Sequence, residues 1–163
     1  MNQEGRPVSD SRAEYSELAM PNDSNPLGSL FGGKVMALVD LAASISAHRH
    51  ARCPVVTASV DHMNFLFPVR IGELVTCYSQ VNRVFRTSME VGVRVMVENM
   101  STGEKRHTST AYLTFVALGT GGERVPLPPV IPATDVERRR YEEALLRREA
   151  RLELRKRALE RLK

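Results

Sequence analysis

The sequence contains no tryptophan, two cysteines and few aromatics, five phenylalanines and four tyrosines among 163 residues. Cys53 and Cys77 are too far apart for a CxxC metal pair and too few for a disulfide framework. No uncharged apolar run reaches 18 residues, which excludes a helical membrane span. Residues 1–20 carry Glu4, Asp10, Glu14 and Glu17 where a signal peptide would need an apolar stretch, so a reducing cytoplasm is the expected location. Excess charge is scarce as well: 23 Lys and Arg against 19 Asp and Glu leave a net charge of +4. All of that excess lies in residues 134–163, with eleven basic and seven acidic residues, while the first 133 are balanced at twelve each. A nucleic-acid-binding domain carries its basic stripe on the folded surface, so this distribution argues against nucleic acid as a partner.

A chain of this length fits one domain that buries roughly 68–70% of its unfolded surface. The most informative stretch is Asn25-Pro-Leu-Gly28-Ser-Leu-Phe31-Gly32-Gly33. Gly32 and Gly33 allow a close approach of backbone to a ligand and stand where a helix should begin. The helix runs over about 33–50. Apart from Lys34, Asp40 and two serines, its first fourteen residues are apolar all round, which is how a fully buried helix reads. An ionised carboxylate there is costly unless it is paired, hydrogen-bonded or kept for chemistry, so Asp40 needs a reason.

Residues 1–14 read as a disordered leader. Strands are expected at Val55–Asp61, at Leu74–Phe85, and at Met89–Glu98, where the odd positions are all apolar. A fourth, from about Arg106 to Leu118, pairs back as a hairpin after the turn residues Asn99–Gly103. Residues 15–118 thus form an α+β unit, one long buried helix followed by an antiparallel meander. Prolines 126, 128, 129 and 132 mark residues 119–133 as a Pro/Gly linker. Residues 134–163 then form a charged helix, started by Thr134 or Asp135. Leu145, Leu152, Leu159 and Leu162 give it a weak apolar seam, read as a solvated helix docking loosely on its own domain or a neighbour.

From about Met20 onward the sequence resembles the acyl-CoA thioesterases with the hotdog fold. The likeness rests on the order and spacing of short strings. These are Pro21-Asn-Asp-Ser-Asn25, Gly28, Phe31-Gly-Gly33, the helix with Asp40, Val56-Thr57, Val60-Asp61, Pro68-Val69, Gly72-Glu73, Thr87-Ser-Met-Glu-Val91, Glu98-Asn99 and Thr102-Gly-Glu104. The resemblance implies a long helix wrapped by a curled antiparallel sheet, with two such units sharing one continuous sheet and dimers assembling into trimers of dimers. It also implies active sites at the dimer interface that use an Asn before the helix and an Asp within it, here Asn25 and Asp40.

The chemistry can be read from the residues beside that likeness. Thioester hydrolysis needs a base or nucleophile and donors for developing oxygen charge. Asp40 suits either of the first two roles. The helix N-terminus at Gly33 and the Asn25 amide suit the last. Asp40 lies seven residues beyond Gly33, roughly 10 Å along the axis at 1.5 Å per residue. Donors must sit about 3 Å from the reacting oxygen. Gly33 and Asn25 of one protomer are therefore expected to face Asp40 of its partner. For the CoA phosphates, Arg83, Arg86, Lys105 and Arg106 are candidate cations, with Thr87 and Ser88 lining the pantetheine channel. His48, His50, His62 and His107 lack metal-ligand spacing, and His48 and His50 are expected to cap the last helical carbonyls. No cofactor or metal is expected. The competing readings are a non-catalytic acyl-CoA-binding regulator and a hotdog dehydratase, the latter wanting a His–acid pair beside the helix.

Overall fold

The computed structural model describes residues 4–161. In chain order the elements are β1 (Arg6–Pro7), β2 (Ala13–Leu18), α1 (Gly32–Ala51), β3 (Val55–Met63), β4 (Leu74–Phe85), β5 (Ser88–Glu98), β6 (Lys105–Ala117), β7 (Val130–Ile131) and α2 (Asp135–Glu160). Five strands form one antiparallel sheet in the order β2-β4-β5-β6-β3, so β2 and β3 are its edges. The sheet packs on α1, the helix-in-a-curled-sheet arrangement of the hotdog fold.

Period-two patterning builds the packed face. Val91, Val93, Val95 and Val97 of β5 are all buried, as are Cys77 and Val81 of β4 and Leu113 and Phe115 of β6. A fully buried valine contributes roughly 1.5–3 kcal/mol relative to an exposed one. α1 meets them with Leu38, Val39, Ala42, Ala43 and Ala47, and the alanines let backbone approach sheet. Ser79 Oγ donates to Ala42 O at 2.7 Å and stands 2.7 Å from Ser46 Oγ, so the buried hydroxyls satisfy each other. The helix ends at Arg52 in the left-handed region, φ 57°, with its N–H on His48 O.

Four expectations are corrected here. Residues 4–14 are not a disordered leader: β1 pairs in parallel with β7, a 3-10 turn at Val8–Ser11 buries Val8 and Ser11, and β2 begins at Ala13. The proline-rich stretch is therefore anchored at Val130–Ile131, and residues 1–3 lie outside the described ones. α1 is not buried on every face, since Met36 and Leu41 are each nearly half exposed. An all-round apolar helix looks alike in sequence whether its own chain or a second one covers it. His50 does not cap the helix; its ring is fully buried and Nε2 lies 2.8 Å from Pro128 O, whereas His48 Nδ1 does reach back to Ser44 O. Finally, α2 docks without a leucine seam. Leu152 and Leu159 are exposed, and Leu162 lies outside the described residues. The helix is held by arginines instead: Arg83 lies 4.0 Å from the Tyr141 ring centroid, and Arg147 forms a two-pronged pair with buried Glu90.

α2 starts with the predicted cap. Thr134 accepts from the Glu137 N–H and Glu137 reaches back to the Thr134 N–H, a capping box that closes both orphan donors.

Candidate active site

The loop before α1 is folded around Asn25. Its Oδ1 accepts from the backbone N–H groups of Leu27 at 2.9 Å and Ser29 at 3.1 Å. Its own N–H donates to Ser29 O at 2.7 Å, and Gly28, at φ +75°, donates to Asn25 O. With Oδ1 held by two donors the carboxamide cannot turn over, and Nδ2 has no partner among the described residues. A fixed N–H donor is thus left over.

The helix start offers two more. Phe31 occupies the cap position without a side-chain hydrogen bond, and its N–H goes to Asp23 O at 2.7 Å. Among the described residues, the N–H groups of Gly32 and Gly33 have no acceptor, at the positive end of a 20-residue helix. A Cβ on Gly33 would stand 2.5 Å from the Phe31 ring, so a side chain there would displace the ring that walls this corner. Lys34 ties the corner down: its Nζ lies 2.6 Å from Glu17 Oε1 on β2 and 3.4 Å from Asp23 Oδ2. The Lys34 ammonium holds the Glu17 carboxyl below the usual carboxylate range.

Asp40 lies two turns along α1 and is half buried. Thr57 Oγ1, on edge strand β3, donates to Asp40 Oδ1 at 2.7 Å. Oδ2 has no partner among the described residues. Thr57 is the residue that reasoning from composition and period missed. A threonine in a strand carries no signal of its own, and its contact with Asp40 crosses 17 positions. Two register shifts in β3 accompany it, one between Thr57 and Ser59 and one between Val60 and His62. Bulges of this kind re-aim side chains beside functional sites.

The structure divides the candidate CoA ligands. Phe85 pairs with Ser88, so Arg86 and Thr87 form a two-residue turn; Ser88 pairs with Val116, which pairs with Val56. Ser88 is thus two strand spacings, roughly 10 Å, from the residue before Thr57. Lys105 and Arg106 pair with Glu98 and Val97 at the far end of β5, ten residues or roughly 33 Å from Ser88. They cannot join that turn on one ligand within a chain. Arg106 is also committed: it grips the buried Glu73 carboxylate at 2.8 and 2.6 Å and Pro68 O at 3.0 Å, holding Glu73 below its ordinary range. Lys105 faces Glu98 at 3.4 Å. Arg83 is spent on α2, donating to Tyr141 O at 3.1 Å. Arg86 makes no side-chain bond among the described residues.

Apolar surface surrounds the site. Leu27, Phe31, Phe65, Leu66 and Phe67 are exposed, and Val56 and Val60 of β3 join Met36 and Leu41 of α1 on uncovered faces. A groove of about 680 Å³ opens elsewhere, between α2 and the outer face of the sheet at Tyr78, Arg94 and Tyr112, and includes neither Asn25 nor Asp40. Cys77 is inert, as burial pushes its thiol up to about 12. No helix among the described residues is long and apolar enough to cross a membrane.

Residues 27–104 match the model of the thioesterase superfamily. An acyl-CoA thioester hydrolase of Bacillus subtilis, itself uncharacterised, is 43% identical over 134 residues, 82% of this chain and 78% of that one. Among solved structures, an acyl-CoA hydrolase from Bacillus cereus superposes with a TM-score of 0.91 at 42% identity, covering 98% of this chain and 96% of that one. A hexameric acyl-CoA thioesterase gives 0.89 at 42% identity, covering 96% and 98%. The acyl-CoA hydrolase of Staphylococcus aureus, solved with butyryl-CoA and CoA, gives 0.87 at 34% identity, covering 96% and 98%. Variants of that enzyme replace an Asn, an Asp and a Thr by Ala, the three positions following one another at intervals of fifteen and seventeen residues.

Proposed function

The chain belongs to the acyl-CoA thioester hydrolases of the thioesterase superfamily, and from that membership we propose a mechanism in which Asp40 drives hydrolysis of an acyl-CoA held between two copies of the chain. The observation that carries it is the split of the catalytic equipment along α1. Free donors cluster at Asn25 and Gly33, and a carboxylate with one free oxygen stands seven residues farther on. One chain cannot bring both to the same carbonyl, because its helix rises roughly 10 Å between them.

In the proposed complex the thioester oxygen accepts from Asn25 Nδ2 and the Gly33 N–H of one protomer. The partner's carboxylate, the second copy of Asp40, faces the carbonyl carbon. Thr57 holds Oδ1, so Oδ2 is the atom that works. As a base it takes a proton from water while the water oxygen bonds to the carbonyl carbon; the C–S bond then breaks and the thiolate takes the proton back. As a nucleophile the same oxygen bonds to the carbonyl carbon and the C–S bond breaks, releasing the CoA thiolate and leaving an anhydride; water cleaves it to the fatty acid and the Asp40 carboxylate, and its spare proton goes to the thiolate. In either route the tetrahedral oxygen is stabilised by donors fixed beforehand. Arg86, Thr87 and Ser88 take the CoA end. The Asn25, Asp40 and Thr57 intervals of fifteen and seventeen match those of the replaced residues in the Staphylococcus aureus enzyme, which supports the assignment. The uncovered apolar faces of α1 and β3 support a homodimer as the working unit, and the hexameric relative supports a trimer of dimers.

Thiol release from a panel of acyl-CoAs of two to sixteen carbons, followed with a disulfide dye, tests the reading. The wild-type chain should release CoA, and Asp40→Asn should lower kcat by about 10²- to 10⁴-fold. Full activity in Asp40→Asn would remove the carboxylate from the mechanism.

A further inference from the structure

We infer that Arg151, on the C-terminal helix, is a positioning residue for the reaction, acting on Asp40 through Asp61 and the bulged strand β3. The inference rests on the assignment of Asp40 above.

Within one chain Thr57 reaches Asp40 from a strand that pairs with β6 alone, its other edge lying on the face assigned to the partner copy, and the strand holds two irregularities within nine residues. Thr57 pairs with Phe115 and Ser59 with Thr114, so Ala58 is the extra residue of the first shift; Val60 pairs with Leu113 and His62 with Tyr112, so Asp61 is the extra residue of the second. A bulge can migrate along its strand, and a slip of one residue turns a side chain to the opposite face. Moving the first bulge, which adjoins Thr57, would take Thr57 off Asp40. Something must fix where they sit.

Asp61 is what fixes them. Its side chain is 10% exposed, Ser59 Oγ donates to Oδ1 at 2.9 Å, and Arg151 Nη1 reaches Oδ2 at 2.5 Å. Ser59 and Asp61 lie between and within the two shifts, so this carboxylate clasps both. Arg151 is held in turn. Arg147, one turn earlier on the same helix face, sits bidentate on buried Glu90 of β5 with its guanidinium 3.7 Å from the Tyr112 ring centroid. Past Arg151 every described residue of α2 is exposed, which makes Arg151 the last anchor of the helix on the domain. The chain of contacts therefore runs from α2 through Arg151, Asp61 and the bulges to Thr57 and Asp40.

The test is steady-state kinetics on the full-length protein with Arg151→Met, Arg151→Lys, Asp61→Ala and the Arg151→Met/Asp61→Ala double variant. Thermal midpoint and oligomer size are measured alongside. Arg151→Met should lower kcat by about 10- to 100-fold, the loss that a displacement near 1 Å brings, with KM near its wild-type value. Arg151→Lys should recover part of it, and the double variant should be no worse than the worse single one. Arg157→Ala, at the exposed tip, should leave kcat unchanged. An unchanged kcat in Arg151→Met, additive losses in the double variant, or a loss matched by loss of folded oligomer would each overturn the inference. If Asp40→Asn is inactive while Arg151→Met is normal, this inference alone falls; if Asp40→Asn is fully active, the assignment beneath it falls.

Discussion

Under the proposed mechanism Asn25 has two jobs that a single substitution can separate. Its Oδ1 holds the loop by accepting from Leu27 and Ser29, and its Nδ2 is the donor left over. Asn25→Asp keeps an oxygen for the two backbone donors and removes the N–H donor, putting negative charge where the proposed mechanism develops charge on the thioester oxygen. The expected result is a folded protein with kcat lowered by about 10²- to 10³-fold, the size of losing one oxyanion donor, read by thiol release beside a thermal melt. Wild-type kcat in Asn25→Asp would leave Asn25 a loop-forming residue only. At this scale part of the candidate site was legible: a lone acid in an apolar helix and a glycine pair at its start are anomalies that composition exposes. Thr57 was not, because its role depends on which strand the curled sheet brings beside Asp40.

Elements decide which charged residues are free to meet a ligand. Arg106 of β6 was a candidate phosphate ligand, yet β6 lays it on Glu73, whose side chain is 6% exposed. Arg106→Met should therefore lower stability by about 3 kcal/mol, since it leaves a buried carboxylate unpaired, with KM for acyl-CoA little altered. Denaturant midpoints give the first quantity and kinetics the second; a raised KM with an unchanged midpoint would return Arg106 to the ligand set. The pH dependence carries a sign. Arg106 depresses the Glu73 pKa below 4.5 in the folded state, so the pair's contribution is complete above that value and is lost as pH falls through the depressed one. The gap between variant and wild type should narrow below pH 4.5. Sequence shows that an arginine and a glutamate exist but not that they meet across 33 positions. For the same reason α1, β4 and β5 were legible from their periods within a residue or two, while β1, β2 and β7 were hidden. Ala13–Leu18 mixes apolar, polar and charged residues on both faces without an apolar stripe, and its strand character comes from pairing with β4, some sixty positions away.

The whole molecule is where the rise of α1 has its largest consequence. Met36 and Leu41 on the helix and Val56 and Val60 on the edge strand lie uncovered in one chain, an apolar surface of the kind that marks an interface. If two copies meet there about a twofold axis, each dimer has two sites, and each site takes its donors from one chain and its carboxylate from the other. Chains carrying Asp40→Ala and chains carrying Asn25→Ala are then both inactive alone. Mixed during refolding, they form a heterodimer in which one site has lost both contributions and the other has kept both. Random assortment makes half of the dimers mixed, so about a quarter of wild-type activity should return. A site built within one chain predicts no recovery, because every chain in the mixture lacks one half of it. The recovered rate, measured against the proportion of the two chains, should peak at equal amounts and vanish at either end, which separates restoration by pairing from contamination by active enzyme.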